Sequence, residues 1–352
     1  MRYLVYLGHP AHFHLFKNAI RMLKEKGHEI QILIKKKDVL EDLLKTTGWN
    51  YININPKGRA DNKFAIAFAL LKRDAQFLKI CLRFKPHLMI GTSAEISHIG
   101  KLLGIYSIVV NEDDDDIVPL FAKLAYPLAD KILAPDCCRV GKWEKKKTGY
   151  TGYHELAYLH PKYFIPDENV GKFLKKEKEK YFIIRFAKLG AHHDEGRTGI
   201  TTEIAGKIIN TLTARGNVYI SSERELETEF EKYRIPIQPE NMHSALYFAD
   251  MYIGDSQTMA AESAVLGTPS VRFNDFAGQI NYLLDLENKY GLTFGIKTSD
   301  SKKFFDKIDE LLNMKNLKQE WEKRRLIMLS QTIDLTELMI NLMETHAGKE
   351  KP

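Results

Sequence analysis

Short apolar runs alternate with stretches of helical pattern along most of this chain. Each run is almost continuously apolar, which is typical of strands that are covered by helices on both faces of a sheet. The clearest runs are RYLVYL, EIQILI, HLMIG, YSIVVN and DKILAP in the first half and KYFIIRF, GNVYISS, ADMYIGDS and TPSVRFND in the second. Strands joined through helices form right-handed βαβ units, so the alternation predicts parallel α/β sheets.

The alternation is interrupted once, and this predicts two domains. The interruption, KKKTGYTGYHELAYLHPKYFIPDE, is rich in Gly, Tyr and Pro and is interpreted as a linker. A length of 352 residues also favours two domains. We expect one Rossmann-like domain over residues 1–160 and a second over 161–325, with C-terminal helices over about 325–352 that return to the first. Two such domains would place a ligand cleft between the carboxyl ends of their strands.

Composition argues against several other classes of protein. With 44% hydrophobic and 28% charged residues, the chain has an ordinary soluble composition. No run reaches the ~18 uncharged apolar residues that a membrane span needs, and no signal-peptide pattern opens the sequence. Three cysteines are too few for a disulfide scaffold, so a reducing cytoplasm is expected. The net charge of +6 comes with lysine clusters, which predict either a solvated surface or attraction to an anionic membrane or substrate. Nucleic acid is not an expected partner, because no basic and aromatic motif accompanies the charge.

One turn in the second half is the most informative local pattern. A strand is followed by Ser256, Gln257 and Thr258, and then by a helix that carries Glu262. Unpaired N–H groups at a helix start suit a diphosphate, and an acidic side chain one turn later suits the hydroxyls of a ribose. Helix capping together with a surface glutamate explains the same residues, so the local pattern leaves both interpretations open.

The same segment resembles a known group of enzymes. GDSQTMAAESAVLGTPSV is similar to the donor-site segment of GT-B glycosyltransferases and of the non-hydrolysing UDP-N-acetylglucosamine 2-epimerases. GHPAHFH resembles the histidine-bearing first turn of the lipid-linked N-acetylglucosaminyltransferase of peptidoglycan synthesis, and VVNEDDD and GQINYL resemble its glutamate and glutamine segments. Through HPAHFHLFKN, RFAKLGAHHD and GDSQTMAAE, nearly the whole chain resembles a bacterial and archaeal family of predicted glycosyltransferases. The resemblance implies the GT-B fold, with two Rossmann-like doubly wound domains facing across a cleft.

The resemblance also implies where a nucleotide-sugar donor binds. The matching positions are Arg185, Met242, Ser256, Gln257, Thr258, Glu262 and Gln279. Among them, the backbone of Met242 is expected to meet the base, Gln279 the sugar and Arg185 the diphosphate. Arg185 has support of its own, because a forked cation at the carboxyl end of a strand can hold phosphate bidentately. A surface salt bridge is the alternative for Arg185.

His12 and Glu112 are the expected catalytic residues. Sugar transfer needs a group that takes the proton of the acceptor hydroxyl. His12 matches the histidine of the resembling family, and at a helix start the dipole favours its neutral form. Glu112 is expected to face the cleft, whereas the run Asp113–Asp116 is explained by solvation or pairing. His9 is a further candidate for substrate contact, and His14 is expected to be structural.

The glycine-flanked loop RFAKLGAHHDEGRTGI adds His192 as a candidate substrate contact. A metal site made with the adjacent histidine and aspartate is the alternative. Adjacent histidines point apart, however, and no ligand trio at regular spacing completes such a site. The GT-B resemblance implies a metal-independent enzyme, so we expect no metal and no cofactor, only a nucleotide sugar as substrate.

The sequence therefore predicts transfer of a sugar from a nucleoside-diphosphate sugar, with UDP favoured, to a glycan or polyprenyl-linked acceptor in cell-surface polysaccharide synthesis. A 2-epimerase or hydrolase of the same fold is the alternative, although GHPAHFH departs from the G-T-R-P-E start of the epimerases. A binding protein without catalysis is a third hypothesis. The segment 63–85 is predicted to be an amphipathic helix that covers the sheet or rests on anionic lipid, which would place the protein at the inner face of the membrane.

Overall fold

The computed structural model describes residues 1–35, 39–55, 63–176, 179–187 and 199–348 of the chain. These residues form one sheet of seven strands and one of five, and every strand pair between them is parallel. Contacts divide the chain into two units, Met1–Tyr158 with Ile333–Pro352, and Leu159–Thr332. The predicted parallel α/β architecture is therefore confirmed.

The first unit is built on the seven-stranded sheet. Its strands are β1 (Arg2–Leu7), β2 (Glu29–Lys35), β3 (Tyr51–Asn55), β4 (Leu88–Gly91), β5 (Tyr106–Val110), β6 (Lys131–Pro135) and β7 (Lys147–Tyr150). Its helices are α1 (Pro10–Glu25), α2 (Leu40–Thr47), α3 (Lys63–Phe84), α4 (Ala94–Leu103), α5 (Pro119–Ala125) and α6 (Leu156–Leu159). The order β3-β2-β1-β4-β5-β6-β7 reverses direction between β1 and β4. Open α/β sheets bind ligands at the carboxyl ends of the strands that flank such a reversal.

The second unit repeats this plan with five strands. They are β8 (Tyr181–Phe186), β9 (Asn217–Ser222), β10 (Met251–Gly254), β11 (Ser270–Phe273) and β12 (Thr293–Ile296). Its helices are α7 (Glu168–Lys175), α8 (Thr202–Thr213), α9 (Met242–Phe248), α10 (Gln257–Leu266), α11 (Asn281–Asn288), α12 (Ser301–Asn313) and α13 (Leu317–Ser330). The order β12-β11-β10-β8-β9 reverses between β10 and β8. The last helix of the chain, α14 (Leu335–His346), belongs to the first unit.

Among the strands of the described residues, three were not predicted from the sequence, and all three lie at sheet edges. β3, β7 and β12 have the sequences YININ, KTGY and TFGI, and each is an end member of its sheet. An edge strand has a neighbour on one side only and needs less apolar surface than a central strand. The central strand β1, by contrast, is buried from Tyr3 to Leu7 and forms the apolar run that the sequence shows.

The stretch Leu317–His346 is long and apolar enough to cross a membrane by length and composition alone. In the structure it is two helices, α13 and α14, separated at Gln331–Asp334. Trp321 and Met328 of α13 are buried in the second unit, and Met339 and Met343 of α14 are buried in the first. Each helix therefore buries apolar side chains within its own unit.

Candidate active site

In the first unit, polar side chains gather at the carboxyl ends of β1, β4 and β5, which are neighbours in the sheet. His9 follows β1 and caps α1: its Nδ1 accepts the N–H of Ala11 at 3.2 Å, and Pro10 occupies the first helical position. Proline is favoured there because it lacks a backbone N–H, and the first N–H of a helix makes no hydrogen bond within the helix. This cap explains why α1 begins at Pro10.

His12 lies in the first turn of α1 and is held by the loop after β1. Its Nδ1 accepts the backbone N–H of Gly8 at 3.1 Å, and the hydroxyl oxygen of Thr92, after β4, lies 2.6 Å from the same nitrogen. Because a backbone N–H can only donate, Nδ1 carries no proton and the neutral ring carries it on Nε2. Burial lowers the pKa of His12 well below its usual range, and charge on His9, Lys35 or His154 lowers that pKa further. At neutral pH His12 is therefore an uncharged ring that offers an Nε2–H donor.

Glu112 follows β5 and lies beside a histidine that the sequence analysis did not select. Its Oε2 is 3.3 Å from Nδ1 of His154, and the two side chains are 18% and 9% exposed. Burial lowers the pKa of His154 to about 4, against the opposing effect of Glu155 and Asp113. Glu112 was expected to face the site from the sequence, whereas His154 is a member of the site that the structure adds.

The segment 151–158, named here the strap, brings His154 into place. After β7 at the sheet edge, it returns to α1 at Ala157, whose carbonyl oxygen accepts hydrogen bonds from Asn18 at 2.8 Å and Thr336 at 2.9 Å. The ring of Tyr158 stacks on His14 at 5.3 Å. The strap lies inside the stretch interpreted as a linker, so His154 was missed. The signal that could have found it is the pair His-Glu embedded in the apolar pattern of YHELAYL.

The aspartate run after Glu112 is tied to Arg139. Asp114 is fully buried and accepts the backbone N–H of Arg139 at 2.8 Å, and Asp116 receives the guanidinium of Arg139 at 2.8 Å. Pairing removes much of the mutual repulsion of these carboxylates. Within the described ranges, no group of three His, Cys, Asp or Glu side chains is arranged to hold a metal ion.

In the second unit, two arginines flank the end of β10 on one face of the sheet. Gly254 pairs in register with Arg185 of β8 on one side and with Arg272 of β11 on the other. Residues in register on parallel strands point to the same face. A Cβ on Gly254 would lie 2.9 Å from Cβ of Arg185, and one on Gly295 would lie 2.6 Å from Nη2 of Arg272. The glycines therefore leave room for both arginine side chains.

The two arginines differ in their partners. Arg185 donates to Ser221 Oγ at 2.6 Å and forms an ion pair with Glu223, so part of the salt-bridge alternative raised for it is present. Arg272 is 1% exposed, and its Nε and Nη1 have no hydrogen-bond partner in the part of the chain that the structure describes. Burial lowers the pKa of Arg272, but an arginine stays charged at ordinary pH. A charged residue in the middle of an apolar run, TPSVRFND, was the available signal for this position.

The helix start beside these arginines has the predicted form. Ser256 is the N-cap of α10, and its Oγ accepts the N–H of Met259 at 3.4 Å. Gln257 and Thr258 open the helix and are partly exposed, and the N–H groups of a first turn have no carbonyl ahead of them in the helix. The buried carboxylate of Asp255 ties the turn to the rest of the edge by accepting N–H groups from Ala187 at 2.6 Å and Ile200 at 3.2 Å.

The remaining described donor positions lie on α9 and α10 or just before α11. Glu262 is buried and its Oε1 lies 3.0 Å from Nε2 of His243, the second residue of α9, which begins at Met242. His243 was not singled out from the sequence. Gln279 is partly exposed and donates to the carbonyl of Asp275 at 2.9 Å. His192 lies outside the described residues.

Comparison with known proteins places this arrangement in a family. Residues 3–347 match the family described as "Protein of unknown function (DUF354)". The chain belongs to this DUF354 family. Over 319 residues the DUF354 chain is also 24% identical to the uncharacterized protein MJ0665 of Methanocaldococcus jannaschii, covering 87% of this chain and 90% of that protein.

Solved structures with the same fold include sugar-nucleotide enzymes of two classes. A putative UDP-N-acetylglucosamine 2-epimerase of Listeria monocytogenes matches with a TM-score of 0.69 and 12% identity, over 100% of this chain and 98% of that one. The spinosyn rhamnosyltransferase SpnG complexed with thymidine diphosphate matches at 0.62 and 15%, over 97% and 100%. MurG of Acinetobacter baumannii matches at 0.60 and 14%, over 98% and 100%. The GT-B fold implied by the sequence resemblance is confirmed, and at this level of identity the likeness concerns the fold alone.

Proposed function

We propose that this protein is a GT-B glycosyltransferase that takes a sugar from a nucleoside-diphosphate sugar. One observation carries the proposal: Arg185 and Arg272 lie on either side of Gly254, next to the first turn of α10. Two cations and a helix N-terminus at one sheet edge suit the two negatively charged phosphates of a diphosphate. Arg272 is the strongest element, because buried polar groups are ordinarily hydrogen-bonded and its Nε and Nη1 have no hydrogen-bond partner in the described residues.

The other donor contacts are proposed from the sequence resemblance. Ser256, Gln257 and Thr258 offer hydroxyls and helix N–H groups to the phosphates. Glu262 is proposed to bind the ribose hydroxyls in competition with its contact to His243. Met242 and Gln279 remain the proposed contacts for the base and the sugar. The structure of the fold relative SpnG complexed with thymidine diphosphate supports a nucleoside diphosphate here, with UDP kept as the first choice.

The acceptor is proposed to be a glycan or polyprenyl-linked sugar of a cell-surface polysaccharide, used without a metal ion. Helix α3 supports a location at the inner face of an anionic membrane. Leu71 and Leu82 are 67% and 58% exposed, and the basic Lys72, Lys79 and Arg83 lie on the same helix. Basic charge with exposed apolar side chains is the composition of helices that rest on anionic lipid.

A nucleotide-sugar 2-epimerase is the second candidate, and one observation favours it. The fold is shared with a putative UDP-N-acetylglucosamine 2-epimerase of Listeria monocytogenes as well as with SpnG and MurG. Both candidates would use the same donor site, so only the product of the reaction distinguishes them. Incubation with radiolabelled UDP-sugars and a polyprenyl-phosphate lipid extract distinguishes them: transferase activity puts label on lipid or glycan, whereas epimerase activity leaves it on a changed free or nucleotide-linked sugar.

The diphosphate site is tested by titration calorimetry with UDP, TDP, GDP and CDP. We expect binding of at least one of these, and a 10- to 100-fold weaker affinity in Arg272→Met, roughly the loss of one or two charge-assisted hydrogen bonds. Arg215→Met is the matched control, because Arg215 is exposed and lies before the amino end of β9, whereas the proposed site lies at the carboxyl ends of the strands. Equal affinities of wild type and Arg272→Met, or no binding of any nucleotide, would contradict the proposal.

A further inference from the structure

The histidines of the first unit differ in which ring nitrogen is already occupied. His9 and His12 each use Nδ1 to accept a backbone N–H, from Ala11 and Gly8 respectively. His154 differs: its Nδ1 lies 3.3 Å from Oε2 of Glu112, an ion-pair distance without the geometry of a hydrogen bond, and its Nε2 is buried with no hydrogen-bond partner in the described part of the chain. A carboxylate favours a proton on the nitrogen that faces it, which leaves the lone pair of His154 on Nε2.

This difference decides which histidine can take a proton. His12 could accept a proton on Nε2 only if its own proton were on Nδ1. An Nδ1–H would then point at the N–H of Gly8, and two donors cannot form a hydrogen bond with each other. His154 can accept one on Nε2 without any exchange, and the resulting imidazolium would keep its Nδ1–H towards Glu112. A base oriented by a carboxylate in this way is the arrangement that activates hydroxyl nucleophiles in enzymes.

We propose that His154, positioned by Glu112, receives the proton of the acceptor hydroxyl, and that His12 serves as an Nε2–H donor to the same substrate. This inference rests on the proposed glycosyl transfer. In the step, the hydroxyl oxygen forms a bond to the anomeric carbon of the donor sugar as its O–H bond breaks. The proton goes to Nε2 of His154, and the bond from the anomeric carbon to the diphosphate breaks with its electron pair on the departing nucleoside diphosphate.

The surroundings of His154 fit this role. Burial holds its pKa at about 4, so the ring is neutral and its lone pair is available at neutral pH. The titratable groups that face it are Glu112 and Asp113 from the loop after β5, Glu155 beside it, and His12 of α1. The ring of Tyr150 stacks on it at 6.4 Å with an interplanar angle of 13°. The carboxylates lower the free energy of the imidazolium that proton transfer would create, whereas a charge on His12 would raise it.

The unpartnered Nε2 is an observation that a purely structural histidine would not require. Leaving a buried acceptor without a donor costs stability, and a folded protein ordinarily avoids that cost. A substrate hydroxyl would supply the missing donor. The strap that carries His154 is fastened to α1 through Ala157 and Tyr158, so the position of the ring is fixed by the fold.

Two variants and a control test the proposal in the transferase assay. His154→Asn keeps a side-chain nitrogen where Nδ1 contacts Glu112 but removes Nε2, and we expect kcat to fall about 10²- to 10⁴-fold with unchanged affinity for the nucleotide. Glu112→Gln should lower kcat less and shift the acid limb of the pH profile of kcat/KM, which a merely structural role would not move. His87 lies before the amino end of β4, away from the carboxyl ends of the strands, so His87→Asn should leave kcat unchanged. Full kcat in His154→Asn, with wild-type transfer intact, would overturn the inference and leave the proposed function standing.

A measurement on the ligand-free full-length protein does not depend on turnover. Nitrogen-15 NMR of the imidazole rings reports which nitrogen carries the proton, and His12→Asn and His154→Asn assign the signals. We expect the proton of His12 on Nε2 and that of His154 on Nδ1. The reverse assignment for His154 would overturn the inference even if the protein transfers sugar. Absence of transfer by the wild type, with the expected tautomers observed, would instead count against the proposed function.

Discussion

At the scale of single residues, the protein buries several polar groups without full hydrogen bonding near the carboxyl ends of the strands of both sheets. In the described residues, Arg272 is a buried guanidinium whose Nε and Nη1 have no hydrogen-bond partner, and His154 is a buried imidazole whose Nε2 has none. Such groups lower the stability of the ligand-free fold, and functional sites are where proteins tolerate that loss. Both residues therefore give predictions that link stability to function.

Replacement of Arg272 by methionine should stabilise the ligand-free protein. A flexible apolar side chain of similar length removes a buried charge whose Nε and Nη1 have no hydrogen-bond partner in the described residues, and replacements of buried charges by apolar side chains are often neutral or stabilising by about 1–4 kcal/mol. We expect Arg272→Met to raise the free energy of unfolding, measured by urea denaturation, in the same variant that binds nucleotide more weakly. A loss of more than about 1 kcal/mol would instead assign Arg272 a structural role.

The pKa of His154 predicts part of the acid sensitivity of the protein. In the folded state burial lowers that pKa to about 4, whereas an unfolded histidine titrates near 6.5. Between these values the unfolded state binds more protons, so stability falls as the pH is lowered through this window, by up to about 3 kcal/mol. His154→Asn should show a smaller drop in the free energy of unfolding between pH 7 and pH 4.5 than the wild type. The same drop in both proteins would show that the histidine is not held neutral by burial.

At the scale of elements, the sequence predicted where a strand ends better than it predicted which distant segments contact each other. The turn from β10 into α10 was predicted because small polar residues and a helix pattern follow an apolar run. The strap was not, because glycine and tyrosine suggested a linker, whereas Ala157 and Tyr158 fasten it to α1 through long-range contacts. The pairing of Glu262 with His243 is likewise a contact between helices that no local pattern reveals.

The turn after β10 depends on the carboxylate of Asp255. It accepts one N–H from Ala187, after β8, and one from Ile200, before α8. Asp255→Ala leaves both donors without this acceptor, and we expect the free energy of unfolding to fall by about 2–4 kcal/mol. Asp309→Ala, on the exposed face of α12, is the control and should change it by less than about 0.5 kcal/mol. A loss below about 1 kcal/mol for Asp255→Ala, by the same denaturation, would contradict this account of the turn.

At the scale of the whole molecule, the sequence was sufficient for the fold and insufficient for the chemistry. Continuous apolar runs marked the central strands of both sheets, and only edge strands such as β3 and β12 were missed. The GT-B fold follows from that pattern and from the resemblance, and solved structures of the same fold confirm it. The fold hosts both transferases and epimerases, so the reaction depends on side-chain chemistry such as that of His12 and His154, whose tautomers only three-dimensional contacts reveal.

The most direct test of the account is the release of nucleoside diphosphate. The wild-type protein is incubated with UDP-sugars and a polyprenyl-phosphate lipid extract, and free UDP and the fate of the labelled sugar are quantified together. Glycosyl transfer predicts one UDP released for each sugar that appears on lipid or glycan, with both lowered together in His154→Asn. Epimerised UDP-sugar without release of UDP, or UDP release with the sugar left free in solution, would contradict the account.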